Sequence, residues 1–321
     1  MTVRSIAASV IRPVAVFVPV FLLATFLTYL LRDLSGVSPA HLQLGENATP
    51  ELVAQIEKDW GLDRPFFAQY ADWMGGVLRG DLGNSWWNGT EISRILFDKA
   101  LVSLSVAGLA LVIGIVVGAI LGLIAALRRG GVVDRGITVV TTALSVMPPF
   151  VVGVALVAVF AVGLRWFPSA GYVSPAEGGV GLWLWYITLP AVALSFDTVA
   201  DVARQLRTGL TSALDENYIV GARVRGLSPQ RVFFGHALRG GAGPAVAVLG
   251  MKFPALLGGA IVTEAIFGLS GYGQFAADSA LRGDVPAVQG ALVVSIVLVV
   301  VFNLLVNIVL ARLSPAAGRG V

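Results

Sequence analysis

The chain has 321 residues, of which 56% are hydrophobic and 13% charged, with a mean hydropathy of +0.84. A water-soluble core wrapped in a polar shell does not reach such a value, so the bilayer is the expected solvent. The net charge of +3 comes without aromatic residues interleaved among the basic ones, which argues against nucleic acid as a partner, and the absence of cysteine excludes disulfides, thiolate nucleophiles and cysteine-based metal sites.

About 20 apolar residues cross a bilayer, so long apolar runs locate the spans. The first is Pro13 to Leu31, bounded by Arg12 and Arg32. It is longer than the apolar core of a signal peptide, and no small-x-small cleavage pattern follows, so an uncleaved helix is expected. Ala100 to Leu127 and Gly136 to Leu164 come next. Trp183 to about Leu206 is the fourth and carries Asp197 and Asp201. The fifth, about Pro244 to Phe267, holds Lys252 and Glu264, and the sixth is Val285 to Ala311. Six spans put both termini on one side.

Basic loops mark the cytoplasmic face. Residues 128–135 carry Arg128, Arg129 and Arg135 against Asp134, and residues 204–239 carry six arginines against Asp215 and Glu216. Residues 32–99 instead hold ten acidic and six basic side chains. Both termini and the two basic loops are therefore expected in the cytoplasm, and the 32–99 segment outside.

That outer segment has helix signals of its own. Thr49 reads as an N-cap before Pro50 and Glu51, with Leu52, Val53, Ile56 and Trp60 on one face and Gly61 as the stop. Phe66, Tyr70, Trp73 and Val77 recur at helical spacing and predict an amphipathic helix lying on the membrane surface or on the spans. In the second span, Gly114, Gly118 and Gly122 form overlapping GxxxG patterns that permit close helix approach. Met147-Pro148-Pro149, Pro190 and Pro254 interrupt the backbone hydrogen bonding of spans three to five, which makes these candidates for lining a path.

Catalytic motifs are thin. The three lysines, Lys58, Lys99 and Lys252, do not follow glycine, so there is no Gly-Lys phosphate loop. Gly268-Leu269-Ser270-Gly271 has the GxSG form of intramembrane serine proteases, but no histidine base follows His236. Two sequons, at Asn47 and Asn88, are too short a pattern to carry weight. The charges inside spans leave two readings open. Either Asp201 and Arg204 neutralise each other while Lys252 snorkels toward the cytoplasm, or Asp197, Asp201 and Glu264 face a hydrated route for cationic groups of a solute. On the second reading an ion-coupled secondary transporter is the main alternative function, although no internal repeat supports it.

The stretch YIVGARVRGLSPQRVFFGHALR, residues 218–239, is short, basic and rich in small residues, and reads either as a topology-setting loop or as a docking element. It resembles the EAA loop of bacterial ABC importer permeases, in the form used by the peptide and nickel branch. Ala222 and Gly226 match that pattern, whereas Val220 and Gly221 replace its first two residues. GLDRP at 61–65, GVLRGDLGNS at 76–85, Leu189-Pro190, TEAIFGLSGYGQ at 263–274 and AVQG at 287–290 extend the likeness over nearly the whole chain. Gly36-Val-Ser-Pro39 departs from the PGDP common in that branch.

The resemblance implies an all-α integral membrane protein of six transmembrane helices, with the type I ABC importer permease fold and an extracytoplasmic helical segment after the first helix. Residues 1–99 would form the first helix and outer segment, 100–313 the permease core and 314–321 a cytoplasmic tail. A coupling helix at about 215–229 would present Tyr218, Ala222, Arg223, Arg225, Gly226, Leu227 and Ser228 to a separate ATPase. The implied function is that of a B-type permease subunit importing di- or oligopeptides across the bacterial cell membrane. It would not itself be an enzyme and would hold no cofactor, since ATP and Mg belong to two ABC ATPase subunits. A related C-type permease and an extracytoplasmic solute-binding protein would complete the assembly.

Overall fold

The computed structural model describes residues 3–313, with side chains described from residue 17 onward. The expected tail at 314–321 lies outside the described residues. Helix α1 spans Val3–Ser35, and a short α2 (Pro39–Leu44) leads into α3 (Pro50–Asp59) and α4 (Phe66–Leu78). Then come α5 (Ile92–Leu127), α6 (Val132–Val146), α7 (Pro149–Leu156) and the long α8 (Pro175–Leu214). The chain continues through α9 (Asn217–Val224), α10 (Pro229–Val232), α11 (Leu238–Gly241), α12 (Gly243–Ile266), α13 (Tyr272–Leu281) and α14 (Val285–Leu313). Among the described residues five helices are long and apolar enough to cross a membrane: Phe17–Ser35 of α1, then α5, α8, α12 and α14. One further candidate is a bent pair of helices. α6 and the segment Pro149–Gly163 meet at 97°, because Met147 and Pro148 adopt extended backbone angles and Pro149 opens the new helix. The interruption expected at Met147-Pro148-Pro149 within the Gly136 to Leu164 span is thus a sharp bend between two helices.

The chain divides into two compact units. One comprises residues 104–269 with 3–10 and 301–313, the other residues 11–103 with 270–300. In the first unit α5 packs on α8 through the glycine stripe. A Cβ built on Gly118 would stand 2.8 Å from the Val199 carbonyl oxygen, and one on Gly122 would stand 2.6 Å from that of Ala203. Backbone therefore approaches backbone, as the GxxxG spacing requires. α11 meets α8 in the same manner, since a Cβ on Gly241 would lie 2.7 Å from the Gly209 carbonyl oxygen. Phe253 of α12 stacks on Phe302 of α14 at 4.2 Å between ring centroids.

In the second unit the Thr49 hydroxyl caps α3 by accepting from the Leu52 amide, as the sequence predicts. α4 lies against α1 through an aromatic cluster. Tyr70 and Phe66 pack edge-on to Phe26, Tyr29 meets Tyr70 and Trp73, and the Tyr70 and Thr25 hydroxyls are 3.0 Å apart. Two motif stretches are joined here. The Asp284 carboxylate accepts from the Ser85 hydroxyl and the Trp86 amide, and the buried Gln289 side chain donates to the Thr25 carbonyl at 2.8 Å.

Candidate functional site

The basic stretch between α8 and α12 folds as a helical elbow. α8 ends at Leu214, and Asp215 accepts two hydrogen bonds from one Arg129 nitrogen, at 2.8 and 3.1 Å. Glu216 turns extended and α9 begins. The helix stops at Val224 because Gly226, two residues on, adopts φ +78°, a left-handed conformation that costs glycine least. The Gly226 amide bonds the Arg223 carbonyl and the Leu227 amide bonds that of Ala222, the paired closure of a Schellman motif. Leu227 then packs against the buried cluster that contains Ala222. Ser228 restarts the helix, with its hydroxyl accepting from the Arg231 amide and Pro229 in the first helical position.

The anchor beneath this elbow is apolar. Ile219, Ala222, Val232 and Ala237 form one buried cluster. Of the seven residues expected to meet an ATPase, Arg223, Arg225, Gly226 and Ser228 are exposed and Tyr218 is 46% exposed. Ala222 is buried and Leu227 half-buried, so these two hold the helix in place from inside. Tyr218 lies against Gly240, and burial first, then the neighbouring Glu216 carboxylate, pushes its phenol pKa up.

Sequence reasoning missed the outward face. Val220 is 50% and Val224 83% exposed, and Gly221 lies between them on the same side of α9 with nothing within 4 Å of the position its Cβ would take. Asn217, Val220, Gly221 and Val224 follow i, i+3, i+4, i+7 spacing, opposite Ile219 and Ala222. The signal for it in the sequence is this second stripe at helical spacing.

Deeper in the first unit, charged side chains of α8 and α12 converge. Lys252 donates to Asp197 at 2.5 Å and also pairs with Asp201, which in turn pairs with Arg204. Two cations face two carboxylates, so the cluster is neutral overall. Side-chain exposure falls from 51% at Arg204 and 42% at Asp197 to 17% at Asp201 and 13% at Lys252. Glu264 stands apart, 1% exposed on the far stretch of α12. The three acids considered for a route thus occupy different environments. Lys252 binds across to α8, which neither reading of the sequence anticipated.

A further pair was missed. Arg207 of α8 donates from two nitrogens to Asp134 at the start of α6, at 2.5 and 2.8 Å, and the Gly130 amide donates to the same carboxylate. Asp134 is only 2% exposed. Together with Arg129–Asp215, this ties the loop before α6 to the end of α8. Among the described residues no group of three or more His, Asp or Glu side chains is placed to hold a metal ion.

Residues 114–319 match the family model described as binding-protein-dependent transport system inner membrane component, and residues 6–107 match its N-terminal counterpart. A probable peptide ABC transporter permease of Sinorhizobium fredii is 32% identical over 306 residues, covering 95% of this chain and 97% of that relative. The di/tripeptide transport system permease protein DppB of Pseudomonas aeruginosa is 31% identical, covering 95% and 96%. The oligopeptide transport system permease protein AppB of Bacillus subtilis is 30% identical, covering 96% and 98%. Among solved structures, an inward-facing MetNI methionine ABC transporter superposes with a TM-score of 0.54 at 16% identity, covering 69% of this chain and 97% of that one, a likeness of fold. The ion-coupled alternative finds no support among these relatives, and two of its three acids are already engaged by Lys252 and Arg204. The chain belongs to the binding-protein-dependent transport system inner membrane component family, the permease subunits of ABC importers.

Proposed function

We propose that this permease imports di- or oligopeptides and forms half of a translocation pathway with a related C-type permease. Both termini and the 128–135 and 204–239 segments face the cytoplasm of a bacterial inner membrane, in keeping with their arginines. An extracytoplasmic binding protein delivers the solute, and two ABC ATPases bind and hydrolyse ATP. This chain performs no covalent chemistry. The peptide cargo is inferred from relatives that carry that cargo in their names.

The carrying observation is the stripe of exposed Val220 and Val224 with half-buried Gly221 between them on α9, backed by buried Ile219 and Ala222. An apolar stripe with a notch free of side chain, outside the apolar spans, suits insertion into a groove of another protein. Arg223, Arg225 and Gly226 border that contact, and Tyr218, Ala222, Leu227 and Ser228 hold its shape. Closure of the ATPases moves α9 and with it the end of α8, and the Arg129–Asp215 and Arg207–Asp134 pairs carry the displacement from α8 into α6 as a rigid-body motion. Asp197 and Asp201 line the route as half of a neutral cluster, and Glu264 contributes from its enclosed position.

The test is peptide uptake into vesicles holding the full assembly. Uptake that needs ATP, ignores ion gradients and disappears in Gly221→Trp while the variant remains inserted supports the reading. Uptake by this chain without nucleotide-hydrolysing partners overturns it.

A further inference from the structure

The second unit contains a cavity of about 290 Å³ that none of the roles above uses. One wall is a single face of α13, where Gln274, Asp278 and Arg282 follow at four-residue spacing. The other is Ile95 and Lys99, one turn apart on α5, with Trp87 closing the side. The loop bearing Trp87 is fixed by Asp284, which accepts from the Ser85 hydroxyl and the Trp86 and Ala287 amides. Asp284 is therefore already engaged by three donors.

The other charges at the cavity form no ion pair among the described residues. Asp278 and Arg282 have the i, i+4 spacing that favours a helix ion pair, but Arg282 instead lies 5.2 Å above the Trp87 ring. Among the described residues Lys99 and Asp278 form no ion pair, with each other or elsewhere. Lys99 is only half-exposed. An ammonium and a carboxylate thus face one cavity from opposite walls. Its volume of about 290 Å³ falls just under the roughly 300–1,000 Å³ usual for small-molecule sites.

The geometry points to a zwitterion-binding site: a short peptide places its free carboxylate at Lys99 and its ammonium at Asp278, with its main chain along Gln274 and Asn88. A dipeptide satisfies both charges at once. Neither a cation nor an anion alone does so, and a long peptide exceeds the volume. The inference rests on the importer reading for its biological sense, because the 32–99 segment must face the incoming solute.

The experiment is equilibrium binding of labelled dialanine to the purified assembly of both permeases and both ATPases, without the binding protein. N-acetyl dialanine and dialanine amide serve as competitors. Saturable binding is expected, and Lys99→Met should weaken dialanine about tenfold or more, the loss expected for one charge-assisted contact. Lys99→Arg should retain it. The amide should bind Lys99→Met and the parent alike, and Asp278→Asn should show the same indifference to N-acetylation.

No saturable binding, or equal loss for all three ligands in each variant, overturns the site. So does unchanged dialanine binding with weakened capture of the binding protein, which would make the cavity a docking surface for that protein. ATP-driven peptide uptake in vesicles is scored separately. Intact uptake with no zwitterion discrimination discards this site and leaves the importer reading standing, whereas binding without uptake does the reverse.

Discussion

Lys252 on α12 donates to Asp197 on α8 at 2.5 Å and reaches Asp201 one turn along the same helix. A single ammonium thus fastens two spans at a point where water is scarce. Breaking such a pair is more costly than never having built it, since removing one partner leaves buried charge uncompensated. Lys252→Met should therefore lower stability by about 2 kcal/mol, below the usual range for fully buried pairs because Asp197 is partly exposed. Adding Asp197→Asn and Asp201→Asn should restore most of it. Thermal unfolding in detergent reads both, and a Lys252→Met variant as stable as the parent would refute the clamp.

The Asp134–Arg207 pair makes a sharper case. Asp134 is 2% exposed and accepts from Arg207 and from the Gly130 amide. Asp134→Ala is expected to cost about 3 kcal/mol and to expose the 128–131 turn to protease. A digestion pattern identical to that of the parent would count against its role in holding α6 to α8.

Close packing of α5 on α8 predicts a contrast between glycines of one helix. A side chain at Gly122 collides with the Ala203 carbonyl, a backbone atom with little room to yield, whereas Gly108 has open space. Gly122→Val should abolish folded protein in the membrane, while Gly108→Ala should leave its level unchanged or higher, since alanine is favoured over glycine by up to about 1 kcal/mol of helix propensity. Equal yields of the two variants would contradict the packing.

In the elbow, Gly221 and Gly226 should respond oppositely to alanine. Gly221 is helical with nothing near, so Gly221→Ala should leave stability equal or higher. Gly226 has φ +78°, and Gly226→Ala should cost roughly 1–2 kcal/mol through the backbone alone, though its Cβ would touch nothing. Limited proteolysis at the α9–α10 junction separates them. Equal protection of both variants would show that the left-handed turn is not what ends α9.

Much of this architecture is readable along the chain. Apolar runs give the spans, Thr49 and Pro50 open α3 as capping chemistry demands, and the spacing of Phe66, Tyr70 and Trp73 places α4 against apolar partners. The break at Met147-Pro148-Pro149 was visible as a loss of backbone donors, but its 97° angle was not, because a missing hydrogen bond permits a bend without fixing its size. Glu264 looked like a route-facing acid from sequence, and burial at 1% sets it apart from Asp197.

The sequence alone determined the solvent, the positions of most spans, the glycine stripe of α5 and the stops and starts at Gly226 and Ser228, because hydrophobic period, capping and left-handed backbone preference act over a few neighbouring residues. Only the tertiary structure decided which charges meet. Lys252 and Asp197 are 55 residues apart, and Arg207 and Asp134 are 73 apart. Such partners are chosen by how closely helices pack and how they are rotated, and no local pattern encodes either. The same holds for α9, where burial of Ile219 and Ala222 turns Val220, Gly221 and Val224 outward and so selects the face left open.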